Sequence, residues 1–222
     1  MAINATNKGG NEDFELVPAG TYTGRCVKMI HIGTVSETIN GLTKVVDKVL
    51  IQWELPTELK EFKEGEGEKP YLVQKEFTLS MHEKATLRKF LKDWRGKDFT
   101  KEEAESFDIT KVLGKPCTIS IAHKPSKKDP SKVYTEVTSV SQVMKGITCL
   151  PQVNPNYEFN YEPFIQSKFD ALPQYLKDKM SKSAEYHTAT GGSAVPQPEA
   201  NSTANGPGGF GSVAEEIEEL PF

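Results

Sequence analysis

Between Lys124 and Lys132 four lysines, Lys124, Lys127, Lys128 and Lys132, stand against a single acid, Asp129, and Tyr134 follows closely. Cations beside a ring are what a single nucleic-acid strand requires: a positive path for its phosphates and a flat face on which bases stack. Alternation sets Tyr134 opposite Val133, Thr135 and Val137. Its ring therefore either stacks on bases or packs under the loop as an edge tyrosine. Lys44 and Lys48 share one face of an earlier extended run, and Arg25 and Lys28 lie on the run before it. These four could form the floor of the same groove, although Arg25 and Lys28 have opposite parity and need a bulge to face it together.

A second pattern lies at the other pole of charge. Glu215, Glu216, Glu218 and Glu219 precede Leu220-Pro221-Phe222, behind a stretch rich in Gly, Ser, Pro and Asn from Gly191 to Gly211. A charged tip on such a tether cannot build a core, and reads as a ligand held out for another surface. Phe222 would offer a ring and an α-carboxylate together, suited to an apolar pocket rimmed by Lys or Arg. A purely solvating tail is the other meaning of an acidic run, but solubility gives no reason for an apolar end.

Enzymatic chemistry finds little support. His31, His82, His123 and His187 are scattered without metal-ligand spacing. No phosphate-binding glycine loop or nucleophile elbow is present, and no cofactor or metal is expected. Cys117 and His123 share a strand face with Ile119 and Ile121, which reads as a buried thiol. Three cysteines without a C-x-x-C pair argue against a disulfide framework and for the reducing cytoplasm. No apolar run reaches transmembrane length, so no membrane partner is expected. From Ser181 onward one lysine stands against six glutamates, whereas the remainder has 26 basic and 25 acidic residues. The body is near neutral, so any basic surface must be local.

The elements that must position these residues read as follows. Extended runs cover Thr21 to Thr34, Thr43 to Leu55 and Tyr71 to Leu79; in the second, Val45, Val49, Ile51, Trp53 and Leu55 share a face interrupted by Asp47. A helix from Glu83 to Trp94 carries Leu87, Phe90, Leu91 and Trp94 in one stripe, with Gly96 as its stop. Thr100 caps a short helix reaching Phe107. Strands Cys117 to His123 and Val133 to Val140 flank the basic loop, the latter continuing towards Met144. Three strands, a helical insertion and two strands is the order of a five-stranded OB-fold-like Greek-key barrel, a mainly β class in which the loop between strands four and five walls the nucleic-acid groove. The expected organisation is a flexible arm (1–12), the barrel (13–148), an aromatic-rich arm packed on it (149–186) with a short helix at Pro173 to Met180, a linker (187–214) and a disordered acidic tip (215–222).

The segments Leu87 to Lys97, Leu113 to Cys117, Tyr134 to Val140 and Phe169 to Pro173, taken in order with the acidic tip, resemble phage-encoded single-stranded-DNA-binding proteins of the OB-fold type. The resemblance implies a non-enzymatic protein of viral DNA replication, recombination or repair in the cytoplasm of a bacterial host. Its expected partners are single-stranded DNA and, through Glu215, Glu216, Glu218, Glu219, Leu220, Pro221 and Phe222, replication or recombination proteins. An OB-like adaptor that binds protein but no nucleic acid is the alternative.

Overall fold

The first strand, β1 (Gly20–Ile39), organises the molecule because it buries side chains on both faces. A computed structural model describes residues 16–39, 42–126 and 129–191. In it β1 pairs antiparallel with β2 (Leu42–Lys60), and β2 with β3 (Lys69–Thr78). On its other side β1 pairs with β4 (Pro116–Pro125), which pairs with β5 (Val133–Ser141). The fold is therefore mainly β, an open sheet in the order β3-β2-β1-β4-β5, with the short β6 (Tyr157–Phe159) parallel to β1.

Two register shifts in β1, at Cys26/Lys28 and at His31/Gly33, adjust which side chains face which layer. On one face Cys26 and Met29 join Val49, Ile51, Trp53, Leu55, Phe77, Ile119, Ile121 and Val137 in the main core. Helix α1 (Thr86–Arg95) lays the expected stripe of Leu87, Phe90, Leu91 and Trp94 on it, and Gly96 ends the helix at φ 66°. Helix α2 (Lys101–Glu105) opens on a capping box between Thr100 and Glu103 and stops two residues short of Phe107. The edge strands β3 and β5 approach each other, and Lys75 Nζ on β3 donates to Val137 O on β5 at 3.0 Å.

The opposite face of β1 and β2 is covered as well. Ile30, Ile32, Val35 and Leu50 pack against Phe159, Tyr161, Phe169, Leu172, Leu176 and Met180. These come from β6, α3 (Gln166–Asp170), α4 (Gln174–Met180) and the links between them, which hold Tyr161 and Leu172, and α5 (Ala184–Ala189) follows. Each fully buried aliphatic here contributes roughly 1.5–3 kcal/mol over an exposed one, so the aromatic-rich segment is held by a core of its own. Tyr161 donates to Ile32 O at 2.8 Å, and Glu185 of α5 accepts from Thr34 N and Oγ1 at 2.7 and 2.6 Å. Gly33 is required at this junction. Its φ is 90°, and a Cβ there would lie 2.6 Å from Glu185 Oε2 and 2.8 Å from Ser183 Cβ.

Several expectations are corrected. β1 and β2 run well past Thr34 and Leu55, and Val45, expected on the apolar face, is 40 % exposed where their hairpin outruns its cover. Val133 is also exposed, at the outer end of β5, and Met144 lies beyond the strand. β6, α3 and α5 are not foreseen by the periodicity. The arm of 1–12, most of the linker and the tip at 215–222 lie outside the described residues. No described helix is long and apolar enough to cross a membrane.

Candidate nucleic-acid interface

Of the candidate groove residues, Lys124 and Tyr134 are brought directly together, as register partners on the β4–β5 ladder. Neighbouring Glu136 forms ion pairs with Lys124 Nζ at 2.5 Å and with Lys75 Nζ at 3.7 Å. The Lys124 side chain is still half exposed, and Lys132, 4.0 Å from Asp129, is 79 % exposed. Tyr134 is partly buried, and burial followed by the nearby Glu136 raises its phenol above the ordinary value. The ring is therefore neutral at physiological pH. Lys127 and Lys128 lie outside the described residues. This end of the sheet offers cations on a loop and one ring beside them, which suits phosphate neutralisation with stacking.

The proposed floor does not assemble around these groups. Arg25 is spent on backbone: Nε donates to Leu150 O at 2.7 Å, NH1 to Gly114 O at 2.9 Å and NH2 to Cys149 O at 3.2 Å. Its register partner Glu54, fully buried, accepts from Val153 N, Asn154 N and Asn154 Nδ2 at 2.6–2.8 Å. Together they fasten the connector between β5 and β6 to the sheet. The bulge that would let Lys28 share a face with Arg25 is present, but Lys28 Nζ stands 5.1 Å from the centroid of the Tyr157 ring, and burial lowers its pKa.

Lys48 is removed from the groove altogether. Its side chain is 12 % exposed and its ammonium lies 2.6 Å from Glu37 and 3.5 Å from Glu76. Lys179 of α4 completes this group, 3.0 Å from Glu37 and 2.6 Å from Glu76. Burial works against the charge on Glu37, but hydrogen bonds from Lys48 and Lys179 outweigh it and lower its pKa. Burial likewise opposes the charge on Lys179, and the two glutamates raise its pKa. The reason for the correction is the cover: α4 closes over the polar side of β2, so a lysine there must find internal partners. Lys44, the register partner of Glu37, sits further out on the projecting hairpin.

One cluster escapes the sequence. His31, Asp47 and Glu185 bring their ligand atoms within 4.8 Å of one another. His31 Nε2 and Asp47 Oδ1 are 2.8 Å apart, and both Glu185 oxygens already accept from Thr34. Through these contacts the group ties α5 to the hairpin. Cys26, Cys117 and Cys149 are buried free thiols; burial pushes Cys26 up to about 12 and Cys117 well above its ordinary value. They suit packing rather than nucleophilic attack. Comparison with known proteins finds no match: no family model, no curated protein and no solved structure aligns with this chain.

Proposed function

We propose that this protein binds single-stranded DNA without catalysing a reaction on it, using an OB-type barrel, and recruits partner proteins through residues 215–222. The observation that carries this reading is the strand order β3-β2-β1-β4-β5 with α1 between β3 and β4. It agrees with an OB-fold whose last closure runs between β3 and β5, where Lys75 reaches across. In that architecture the β4–β5 loop borders the strand-binding groove; here its sequence includes Lys127, Lys128 and Lys132, and Lys124 and Tyr134 flank it on the two strands. Because the outer face of β1 and β2 is covered by α4, the DNA runs along the β4–β5 side, across Tyr134, and not over Lys48. Association is non-specific in sequence, since every base has a face to stack. A place in phage DNA replication, recombination or repair is the setting that the resemblance of the chain suggests.

The test is photo-crosslinking of the full chain to oligo(dT) with mapping of the adduct. Attachment at or beside Tyr134 supports the reading; adducts confined to the outer surface of α4, or none at all, reject it. The adaptor alternative draws support from an exposed apolar run after β5, Met144, Ile147, Leu150 and Val153. It predicts the second outcome.

A further inference from the structure

His31, Asp47 and Glu185 come from β1, β2 and α5, three segments that the fold brings to one point. The backbone arranges this meeting. The register shift between His31 and Gly33 adjusts the β1–β2 ladder where His31 Nε2 comes within 2.8 Å of Asp47 Oδ1. Gly33 lets α5 approach, since a Cβ there would lie 2.6 Å from Glu185 Oε2. Each of the three residues is also held from behind. The His31 ring stands edge-on to Tyr161 with centroids 5.4 Å apart, and the Asp47 carbonyl accepts from Leu79 N at 2.7 Å. Glu185 is oriented by Thr34 N and Oγ1. Outer contacts of this kind orient the ligands of a metal ion.

The charge around the group is unbalanced. Elsewhere on the sheet, the enclosed Glu37, Glu76 and Glu136 each meet lysines. Asp47 and Glu185 share one imidazole, and among the described residues neither has a lysine or arginine partner. The three side chains are part-exposed, and His31 also borders a cavity of about 440 Å³ with Ser80 and Asn160 in its wall. Water therefore reaches an open side of the group. One imidazole and two carboxylates suit a divalent transition-metal ion such as Zn²⁺, whose bonds of about 2.0–2.2 Å set neighbouring donors roughly 3–3.4 Å apart. The His31–Asp47 spacing is already close to that, and Glu185, within 4.8 Å, has at most about 2 Å to close. We propose that His31, Asp47 and Glu185 bind one divalent transition-metal ion, with water in the remaining positions, and that the ion clamps α5 to the β1–β2 hairpin. The ion takes the place of the proton between His31 Nε2 and Asp47 Oδ1, which moves to Nδ1 or to solvent. The inference is independent of DNA binding, and its test contains no DNA.

The experiment uses the full chain, freed of metal by dialysis against a chelator and titrated with Co²⁺ as a spectroscopic probe and with Zn²⁺. One Co²⁺ per chain should give visible absorption bands, and Zn²⁺ should displace it. Zn²⁺ at a hundredfold excess over its Kd should raise the melting temperature by roughly 5–10 °C. Asp47→Asn and Glu185→Gln keep the size of each side chain and should weaken Co²⁺ binding at least about tenfold, the cost of disturbing even an outer contact. His82→Ala should leave it unchanged. In the unsubstituted chain, Zn²⁺ should shift the ring nitrogen resonances of His31 and spare those of His82 and His123, a reading by NMR that needs no variant. Absence of saturable binding would overturn the proposal, as would His31 nitrogens that ignore Zn²⁺. Binding that survives unchanged in both Asp47→Asn and Glu185→Gln would also overturn it, since the ion would then sit elsewhere on the chain.

Discussion

Removing the ring of Tyr134 separates the two roles its position allows. Tyr134 is a partly buried residue paired with Lys124, beside Glu136. Loss of half-buried ring carbons in Tyr134→Ala costs about 1 kcal/mol of stability, which lowers the melting temperature by roughly 3 °C in a chain of this size. If the ring stacks on a base, the same change removes about 1–3 kcal/mol of binding, a loss of roughly 5- to 140-fold in affinity. Tyr134→Phe keeps the stacking face, and because the phenol is neutral at pH 7 it removes no charge, so affinity should stay within about twofold. The assay is fluorescence anisotropy with labelled oligo(dT) at low salt, beside a thermal melt of each variant. A lowered melting temperature with unchanged affinity would show that the ring is structural and would refute its assignment to the groove.

Lys124→Ala and Lys132→Ala should each flatten the slope of log K against log salt by about 0.7 if each contacts one phosphate, as measured by titration over a salt series. Lys48→Ala should leave that slope unchanged and instead cost on the order of 3 kcal/mol in denaturant unfolding, because Glu37 and Glu76 lose a partner while nearly enclosed. Acid should loosen the α4–α5 cover. The folded pKa values of Glu37 and Glu185 are depressed, so their contribution is complete above the ordinary 4.5 and is lost as pH falls through the lower folded values; amide exchange at Thr34 should accelerate relative to β4 as pH is lowered through that range, and equal protection would contradict the linkage. Gly33→Ala should destabilise by roughly 1–3 kcal/mol through its left-handed backbone and its contact with Ser183, read by chemical denaturation.

Much of the sheet is legible in sequence because one side of each strand speaks plainly. Val49, Ile51, Trp53 and Leu55 alternate onto the main core, the α1 stripe follows at helical spacing, and Thr100 with Glu103 spells the capping box. The second layer is marked more faintly: Val49-Leu50-Ile51 is a continuous apolar run, the sign of a strand covered on both faces. What covers it is three residues of β6 and helices of five to seven residues, too short to show a period. The fate of Lys48 was hidden for a different reason. Glu37, Glu76 and Lys179 come from three separate segments, so nothing near Lys48 in sequence distinguishes an internal ion pair from a phosphate ligand. Arg25 and Glu54 are similar, since their partners are backbone groups of a distant connector.

The central claim is that this near-neutral body prefers a single strand. Titrating the full chain with labelled oligo(dT) and with duplex of equal length, over a range of salt, tests it most directly. Stacking needs exposed base faces and phosphate contacts release counterions, so the single strand should bind more tightly, with affinity falling as salt rises. Equal affinity for the two forms, or no binding at low salt, would contradict the account and leave the adaptor alternative.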